Sequence, residues 1–443
     1  MQFCKSKFSS LRTKIFTEMK FLIKHSLFFI IFIICIPFLE GQNNFYNPYS
    51  RYGIGDVQAT NHAMLYAIGI DGGSFYDKSI INYLNPATYA LFDSSSIILN
   101  IGANANGNVV SNALQSYSQW GGGLSMVSGG FRINKFLSAA IGLVPFSNVG
   151  YKIIDSVAEF PTSSYQNVYS SNGGINQAFA GFGINITKNF SLGLNVSYLF
   201  GTIYQNNYTD FDSSYFLDNR YTNATFVNDI YFNAGLRFLV PMDKSNLSFG
   251  FSYSPPMNIN ANRTIRAELI TFGVNNDASV DTINETITDG EYSFPSFYSA
   301  SIGWDNKKNI KVYLNSYFAN WKNFKNFGET DSLQNSFAIQ TGFSIIPNPN
   351  SFKNIFVRSN YIISLKYNKT YLNLRNTSLD AYTISTSMII PFRPVFKSIS
   401  SIGINFAYTF QGTKKNNLLT VNNFNIGISL QLKEGFYEKK RYD

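Results

Sequence analysis

The sequence predicts an all-β protein, a transmembrane antiparallel β-barrel, on three observations. The chain is rich in apolar side chains and poor in charge, its segments alternate apolar with small polar residues, and its only long apolar run lies in a leader. Charged residues make up 14% of the 443 residues and aromatic residues 17%, whereas soluble domains contain about 25% charged residues. This deficit favours a chain in which many apolar side chains face lipid.

Residues 1–41 have the features of a signal peptide. Lys20 and Lys24 precede an apolar run over residues 27–39, which is shorter than the about 20 residues of a transmembrane helix. Gly41 is placed for cleavage, and Met19 is an alternative initiator that would give a leader of ordinary length. An uncleaved anchor helix is the other interpretation. Cys4 and Cys35 both fall here, so we expect a mature chain without disulfides or thiolate metal sites.

Alternation with a period of two is clearest near the C-terminus. Side chains point to opposite faces along a strand, and residues 423–432 place only apolar side chains on one face and Asn, Gly, Ser and Gln on the other. Residues 401–410 and 190–200 repeat this pattern. A soluble sandwich also alternates, but its open face would carry Lys and Glu, whereas a small polar face suits a crowded lumen.

Short connections alternate with long polar stretches along the chain, as expected for turns on one side of a membrane and loops on the other. Residues 147–173, 204–225 and 255–292 are predicted as outer loops, although 255–292 could hide a further pair of strands. The count is 14 strands, with the barrel over 95–433 and a periplasmic tail over 434–443. The predicted strands are 95–104, 121–133, 136–145, 174–187, 190–203, 226–241, 246–255, 293–304, 309–320, 335–346, 355–367, 380–391, 400–411 and 422–433.

Residues 42–94 form the segment ahead of the barrel. Their glycines and prolines predict irregular structure rather than strands. Because a ring of about 14 strands is wider than its own side chains can fill, we expect this segment to be a hatch, or plug, inside the lumen.

Several motifs resemble those of the long-chain fatty acid transporter (FadL) family over roughly residues 43–443. They are NPA at Asn85, Pro86 and Ala87, GLVPFSNVGY over 142–151, and SFPSFYSASIGW over 293–304 followed by YLNSYFANW over 313–321. The resemblance implies a barrel of 14 strands with an N-terminal hatch that passes hydrophobic molecules through the bacterial outer membrane. The opening NPYSRYG over 47–53 departs from that family's pattern.

Two places are candidate functional sites. Asn85, Pro86 and Ala87 would either anchor the hatch to the wall or gate a ligand path at its end. Gly142 and Pro145 would interrupt the third strand, since proline removes a ladder donor and glycine weakens pairing. By resemblance, this break would be a side opening toward lipid; an ordinary rim bulge is the alternative.

Trp120, Trp304 and Trp321 are predicted as membrane-interface aromatics, with ligand stacking as the alternative. His62 is the only histidine beyond the leader, and no G-x-S-x-G elbow is present. We therefore expect neither an enzyme, nor a metal site, nor a cofactor. Without a basic patch interleaved with aromatics, nucleic acid is not an expected partner.

The sequence thus favours an outer-membrane channel for passive uptake of hydrophobic compounds such as long-chain fatty acids, with membrane lipid and a small apolar molecule as partners. The alternative is a structural or docking barrel subunit of a secretion or assembly complex, with other outer-membrane or secretion proteins as partners. A secreted soluble β-protein is the third interpretation.

Overall fold

The computed structural model describes residues 46–57, 80–93, 96–155, 158–160, 163–212, 216–272, 277–331, 333–351, 354–392 and 400–435. The predicted leader with its two cysteines, His62, and the tail beyond residue 435 lie outside the described residues.

Twenty strands and a few short helices make up this part of the chain. The strands are β1 (Asp56–Val57), β2 (Ser96–Ser111), β3 (Ser116–Arg132), β4 (Leu137–Ile154), β5 (Ala158–Phe160), β6 (Ser163–Asn185), β7 (Phe190–Phe211), β8 (Asp218–Pro241), β9 (Asn246–Ser254), β10 (Met257–Phe272), β11 (Asp277–Phe294), β12 (Phe297–Asp305), β13 (Ile310–Ala319), β14 (Lys325–Asn326), β15 (Glu329–Thr330), β16 (Ser336–Ile345), β17 (Asn360–Leu374), β18 (Thr377–Phe392), β19 (Ser400–Gly412) and β20 (Thr420–Gly435). The helices are the 3₁₀ helices Pro48–Arg51, Pro86–Leu91, Trp321–Asn323 and Lys415–Asn417, and the α-helix α1 (Ile355–Arg358).

The sheet closes into an antiparallel barrel of 14 strands, which confirms the predicted fold class. Neighbours in sequence pair with each other, and β2 pairs with β20 from Ser96↔Gly435 to Ser111↔Thr420, which joins the first strand to the last. Closure gives each strand of the ring a paired neighbour on both sides over at least part of its length, as a wall surrounded by lipid requires.

Two of the 14 strands are each built from two segments separated by a proline break. β9 and β10 flank Pro255 and Pro256, and both pair with β8, β9 over residues 234–241 and β10 over 218–227. β11 and β12 flank Pro295 in the same way, and β12 pairs with β9. Residues 255–292 therefore do not add a pair of strands to the ring: they prolong its seventh and eighth strands.

The two faces of the wall differ as the alternation predicts. On β19, Ile402, Phe406 and Phe410 are exposed on the outside, whereas Ser401, Asn405 and Ala407 are buried toward the lumen. β7 repeats this with Leu192, Leu194 and Val196 exposed. An apolar outer band with a polar interior is the arrangement of a membrane-spanning barrel.

The barrel has two different ends. Between β3 and β4, β6 and β7, β8 and β9, and β12 and β13, the connections at one end are only four residues long, such as 133–136 and 306–309; we call this the short-turn end. At the other, long-loop end, β4, β6, β7, β8, β10 and β11 continue well past the length of about 9–11 residues that crosses a bilayer. Much of the predicted outer loops 147–173, 204–225 and 255–292 is therefore strand.

The described parts of the N-terminal segment lie inside the barrel. Residues 46–57 contact the long-loop half, where Tyr49 Oη donates to Leu419 O at 2.6 Å. Residues 80–93 contact the short-turn half, where Asn185 Nδ2 donates to Ala90 O at 2.6 Å. We call these two stretches the upper plug and the lower plug.

Within the described residues, no helix combines the length and hydropathy needed to cross a membrane.

Candidate functional site

The lower plug is built around Asn85. Its Oδ1 accepts from Ala87 N at 3.1 Å, which caps the 3₁₀ helix Pro86–Leu91. Its Nδ2 donates to Leu236 O on β8 at 3.1 Å and to Phe251 O on β9 at 3.4 Å. Asn85 thus shapes the helix and attaches it to the wall through one amide, and Pro86 supplies the fixed backbone of the first helical position.

The wall makes room for this helix with a row of three glycines that the sequence analysis missed. Gly183 on β6, Gly193 on β7 and Gly235 on β8 are direct register partners. A Cβ at Gly193 would lie 2.2 Å from the carbonyl carbon of Pro86, and one at Gly183 would lie 2.6 Å from Ala90 N. The sequence pattern that could have identified them is the recurrence of glycine on the inward face of three successive strands.

Further contacts fix the end of the lower plug. Asn195 Nδ2 donates to Tyr83 O at 2.7 Å, and Arg132 Nη1 donates to Phe92 O at 3.1 Å. Lys433 forms an ion pair with Asp93. Asn85, Pro86 and Ala87 are all buried, and Asn85 contacts both the wall and the helix.

The third strand of the ring, β4, is interrupted where Gly142 and Pro145 lie. β3 pairs with β4 only from Val127↔Leu143 to Arg132↔Ser138. Beyond Leu143 the two strands separate, and the pairing of β4 with β6 shifts by one residue between Pro145 and Ser147. The wall is thus unpaired between β3 and β4 over the long-loop half.

Gly142 and Phe146 border this wall break in different ways. A Cβ at Gly142 would lie 2.7 Å from the Phe179 ring and from Ser128 Cβ, so the wall is tightly packed just below the break. Phe146, the residue at the register shift, is buried and stacks on Phe294 with ring centroids 5.6 Å apart. The bulge therefore turns an aromatic side chain into the lumen.

The upper plug covers the β4 side of the break. Asn47 N donates to Gly150 O at 2.8 Å, and β1 pairs with β4 through Asp56↔Asn148 and Val57↔Ser147. Tyr46 Oη donates to Lys152 O at 2.9 Å, and its ring lies 5.3 Å from that of Tyr117 on β3. The first described residues thus bridge the two separated strands.

A cavity lies beside the plug. One side is aromatic and carries Tyr83, Phe146, Tyr231, Phe297, Trp321 and Tyr371. The side formed by β2, β19 and β20 is rich in amides and carries Asn104, Asn106, Asn108, Gln411, Asn423 and Asn425. Pro145 also lines it, so the cavity reaches the wall break.

Some amides of this lining bond to each other across strands. Asn423 Nδ2 donates to Asn108 Oδ1 at 2.7 Å, and Asn425 Nδ2 donates to Asn106 Oδ1. Mutual pairing reduces the desolvation cost of placing an apolar ligand nearby, because fewer polar groups lose a water partner.

The upper plug places one carboxyl group, Asp56, in this cavity. Burial raises the pKa of Asp56 to about 6, and the positive charge of Lys366 partly opposes that rise. Asp56 and Lys366 both line the cavity. The charge at the plug surface therefore changes in mildly acidic conditions.

The three tryptophans differ in position. Trp120 is 60% exposed and Trp304 is 39% exposed, and both lie on outer faces of strands. Trp321 is only 2% exposed and its ring lies 4.6 Å from that of Tyr371 in the cavity lining. Trp321 is not a membrane-interface aromatic, because β13 ends at Ala319 and the chain turns inward there.

A protein-family model described as BamG matches residues 22–443. The chain belongs to the BamG family. A search of curated proteins found no match to this BamG-family chain.

Solved structures similar to this BamG-family barrel share its fold at low sequence identity. A Pseudomonas aeruginosa FadL homologue is 12% identical with a TM-score of 0.55, and the match covers 87% of this chain and 100% of that one. The P. putida toluene transporter TodX is 13% identical with a TM-score of 0.55 over 84% and 99%. The CymD monoaromatic hydrocarbon channel is 12% identical with a TM-score of 0.54 over 87% and 99%. A divergent FadL-like fold is thereby established.

Proposed function

We propose that this BamG-family barrel is a bacterial outer-membrane channel for passive uptake of hydrophobic compounds. The observation that carries the proposal is the coincidence of the cavity with the wall break, since Pro145 and Phe146 belong to both. An apolar molecule in the cavity would leave sideways into lipid between β3 and β4, driven by its own gradient.

The aromatic side of the cavity supports this ligand class. Burial of apolar surface contributes about 25 cal/mol per Å², so an acyl chain or an aromatic ring would bind there without charged contacts. The solved structures named above include channels for toluene and monoaromatic hydrocarbons, and long-chain fatty acids are the second class to test.

The test locks the upper plug onto β4. Val57 and Ser147 are antiparallel partners, and Cα atoms of such partners lie about 4.5–5.5 Å apart, within disulfide range. We expect the double variant Val57→Cys/Ser147→Cys, reconstituted in vesicles, to lose saturable uptake of labelled palmitate and of labelled toluene when oxidised and to regain it on reduction. The single variant Val57→Cys is the matched control.

Uptake that is unchanged by the oxidised lock would contradict a side route. Absence of saturable uptake by the unaltered protein, with both probes, would contradict transport altogether.

The second candidate is a structural or docking barrel subunit of a secretion or assembly complex. It is favoured by the attachment of the plug at both ends of the lumen, through Tyr49 above and Asn85 below. A barrel of this kind would show no saturable uptake and would stay associated with a defined partner during purification.

A further inference from the structure

The long-loop end carries a strand edge that no other described strand covers. β11 pairs with β10 along its whole length, from Asp277 to Phe294. Its other edge pairs only with β14, at Tyr292 and Ser293, and Glu291 O accepts from Phe327 N at 3.0 Å. From Asp277 to Gly290 this edge has no strand partner within the described part of the chain.

The uncovered edge lies outside the lipid band. On this strand of the ring, the lipid-facing residues Tyr298, Ile302 and Trp304 belong to β12. A crossing takes about 9–11 residues, so the crossing that includes Trp304 ends near Pro295. Ile287 is eight positions before Pro295, on the side of that proline away from Trp304, and therefore lies beyond the membrane.

The edge lacks the usual protection against strand addition. Natural edges are kept short or carry proline and lysine, but β11 has 18 residues, no lysine, and its nearest proline is Pro295. Its pairing with β10 is regular from Glu285 to Phe294, with register shifts only nearer the tip. Ile283 is 62% exposed and Ile287 is 66% exposed. The β4 edge at the other side of the same extension is, by contrast, covered by the upper plug.

The backbone groups available on this edge can be identified. Since Glu291 O points to the free edge, and alternate residues of an antiparallel strand direct both backbone groups to the same neighbour, Glu285, Ile287 and Asp289 also present N–H and C=O there. Their side chains share one face, where Arg266 Nε donates to Glu285 Oε2 at 2.9 Å.

The charge of the edge selects the occupant. β11 carries Asp277, Asp281, Glu285, Asp289 and Glu291 and no basic residue, in a chain of net charge +9. A second copy would bring a like-charged edge alongside, and anionic lipid would be repelled. Glu285 is already paired with Arg266, so a positively charged extended segment would instead place its cations beside Asp289 and Glu291, with an apolar residue beside Ile287.

We propose that the free edge of β11, centred on Ile287, binds an extended segment of a partner protein that is rich in lysine or arginine, by addition of a strand outside the membrane. Main-chain hydrogen bonds would provide the affinity and the alternate side chains the specificity. The inference is independent of the proposed uptake, which uses the lumen and the wall break.

The test uses a fluorescent synthetic peptide that alternates lysine with valine or threonine and is long enough to pair from Asp281 to Glu291. Binding to the full protein in detergent is measured by anisotropy at low salt. Proline removes the outward donor and its ring obstructs the edge, so we expect Ile287→Pro to weaken binding by about ten-fold or more. Ile287→Thr, which keeps the N–H, should stay within about three-fold of the parent protein.

Charge is tested on the same edge. Asp289→Asn should weaken binding at low salt and have less effect at high salt, and a peptide with glutamate in place of lysine should not bind. A heat-dependent gel shift identical to that of the parent protein verifies that Ile287→Pro is folded, and its palmitate uptake should be unchanged.

Three outcomes would overturn the proposal. They are equal binding by Ile287→Pro and Ile287→Thr, equal binding of the glutamate peptide, and a detergent-stable dimer of the parent protein that Ile287→Pro abolishes, which would assign the edge to a second copy.

Discussion

At the scale of residues, one glycine on each of β6, β7 and β8 determines whether the lower plug fits against the wall. Gly183, Gly193 and Gly235 leave a shallow groove in the wall, and the helix Pro86–Leu91 fills it. Only a residue without a Cβ permits so close a backbone approach. Attachment of the plug thus depends on the wall as much as on Asn85.

A substitution in this groove should loosen the plug. In Gly193→Ala the new Cβ would lie 2.2 Å from Pro86 C, and such overpacking costs about 1–3 kcal/mol. The displaced-plug population should rise about 5- to 150-fold, measured as channel openings in planar bilayers. Gly123→Ala is the control, because nothing lies within 4 Å of a Cβ at that position; equal opening rates in both variants would contradict the fit.

The pH dependence of the upper plug follows from Asp56. Its pKa is raised to about 6 in the docked plug, against 3.8 when free, so docking is favoured by the protonated carboxyl group. This stabilisation is fully present below about pH 4 and is lost as the pH rises through about 6. Protease cleavage of the plug should therefore increase between pH 5 and pH 7, and Asp56→Asn should remove that increase. A parent protein cleaved equally across this range would argue against the assignment.

Trp321 shows that a position at the end of a strand does not determine whether the side chain points to the membrane or to the lumen. A tryptophan that follows a membrane strand resembles an interface aromatic, but its direction depends on the next few residues. Here the 3₁₀ helix Trp321–Asn323 turns back over the lumen, and the ring packs on Tyr371 from β17. That partner is 50 positions away in sequence, and no local pattern indicates it.

At the scale of elements, alternation predicted the strands where lipid lies on one side and failed where water lies on both. Residues 401–410 and 423–432 were predicted as strands because their outer faces are uniformly apolar. Above the membrane, β11 and the long-loop half of β7 are exposed to solvent, so neither face needs to be apolar and the pattern disappears. The extent of the gap between β3 and β4 could not be predicted, since the sequence marks the interruption at Pro145 but not how far the loss of pairing continues.

At the scale of the whole molecule, the pairing of β2 with β20 closes the wall into a ring. A barrel whose ring is intact resists detergent at room temperature because every wall strand has two neighbours. We expect a purified chain that needs detergent to stay soluble and that migrates faster on gels before boiling than after it. A chain that is soluble in plain buffer and shows no mobility change would contradict the membrane-spanning fold.

The glycine groove under the helix Pro86–Leu91 also affects the route that a hydrophobic ligand would take through the proposed channel. If the lower plug were displaced, the backbone around Gly193 and the side chains of Asn195, Ser191 and Arg237, which are now buried, would be exposed to water in the lumen. An apolar molecule that passed through the lumen would then cross this polar surface, whereas the proposed exit between β3 and β4, beside Phe146, would lead directly into the lipid. If the proposed uptake takes place, the same glycines that accommodate the plug would therefore disfavour a path through the lower plug and favour the proposed path between β3 and β4.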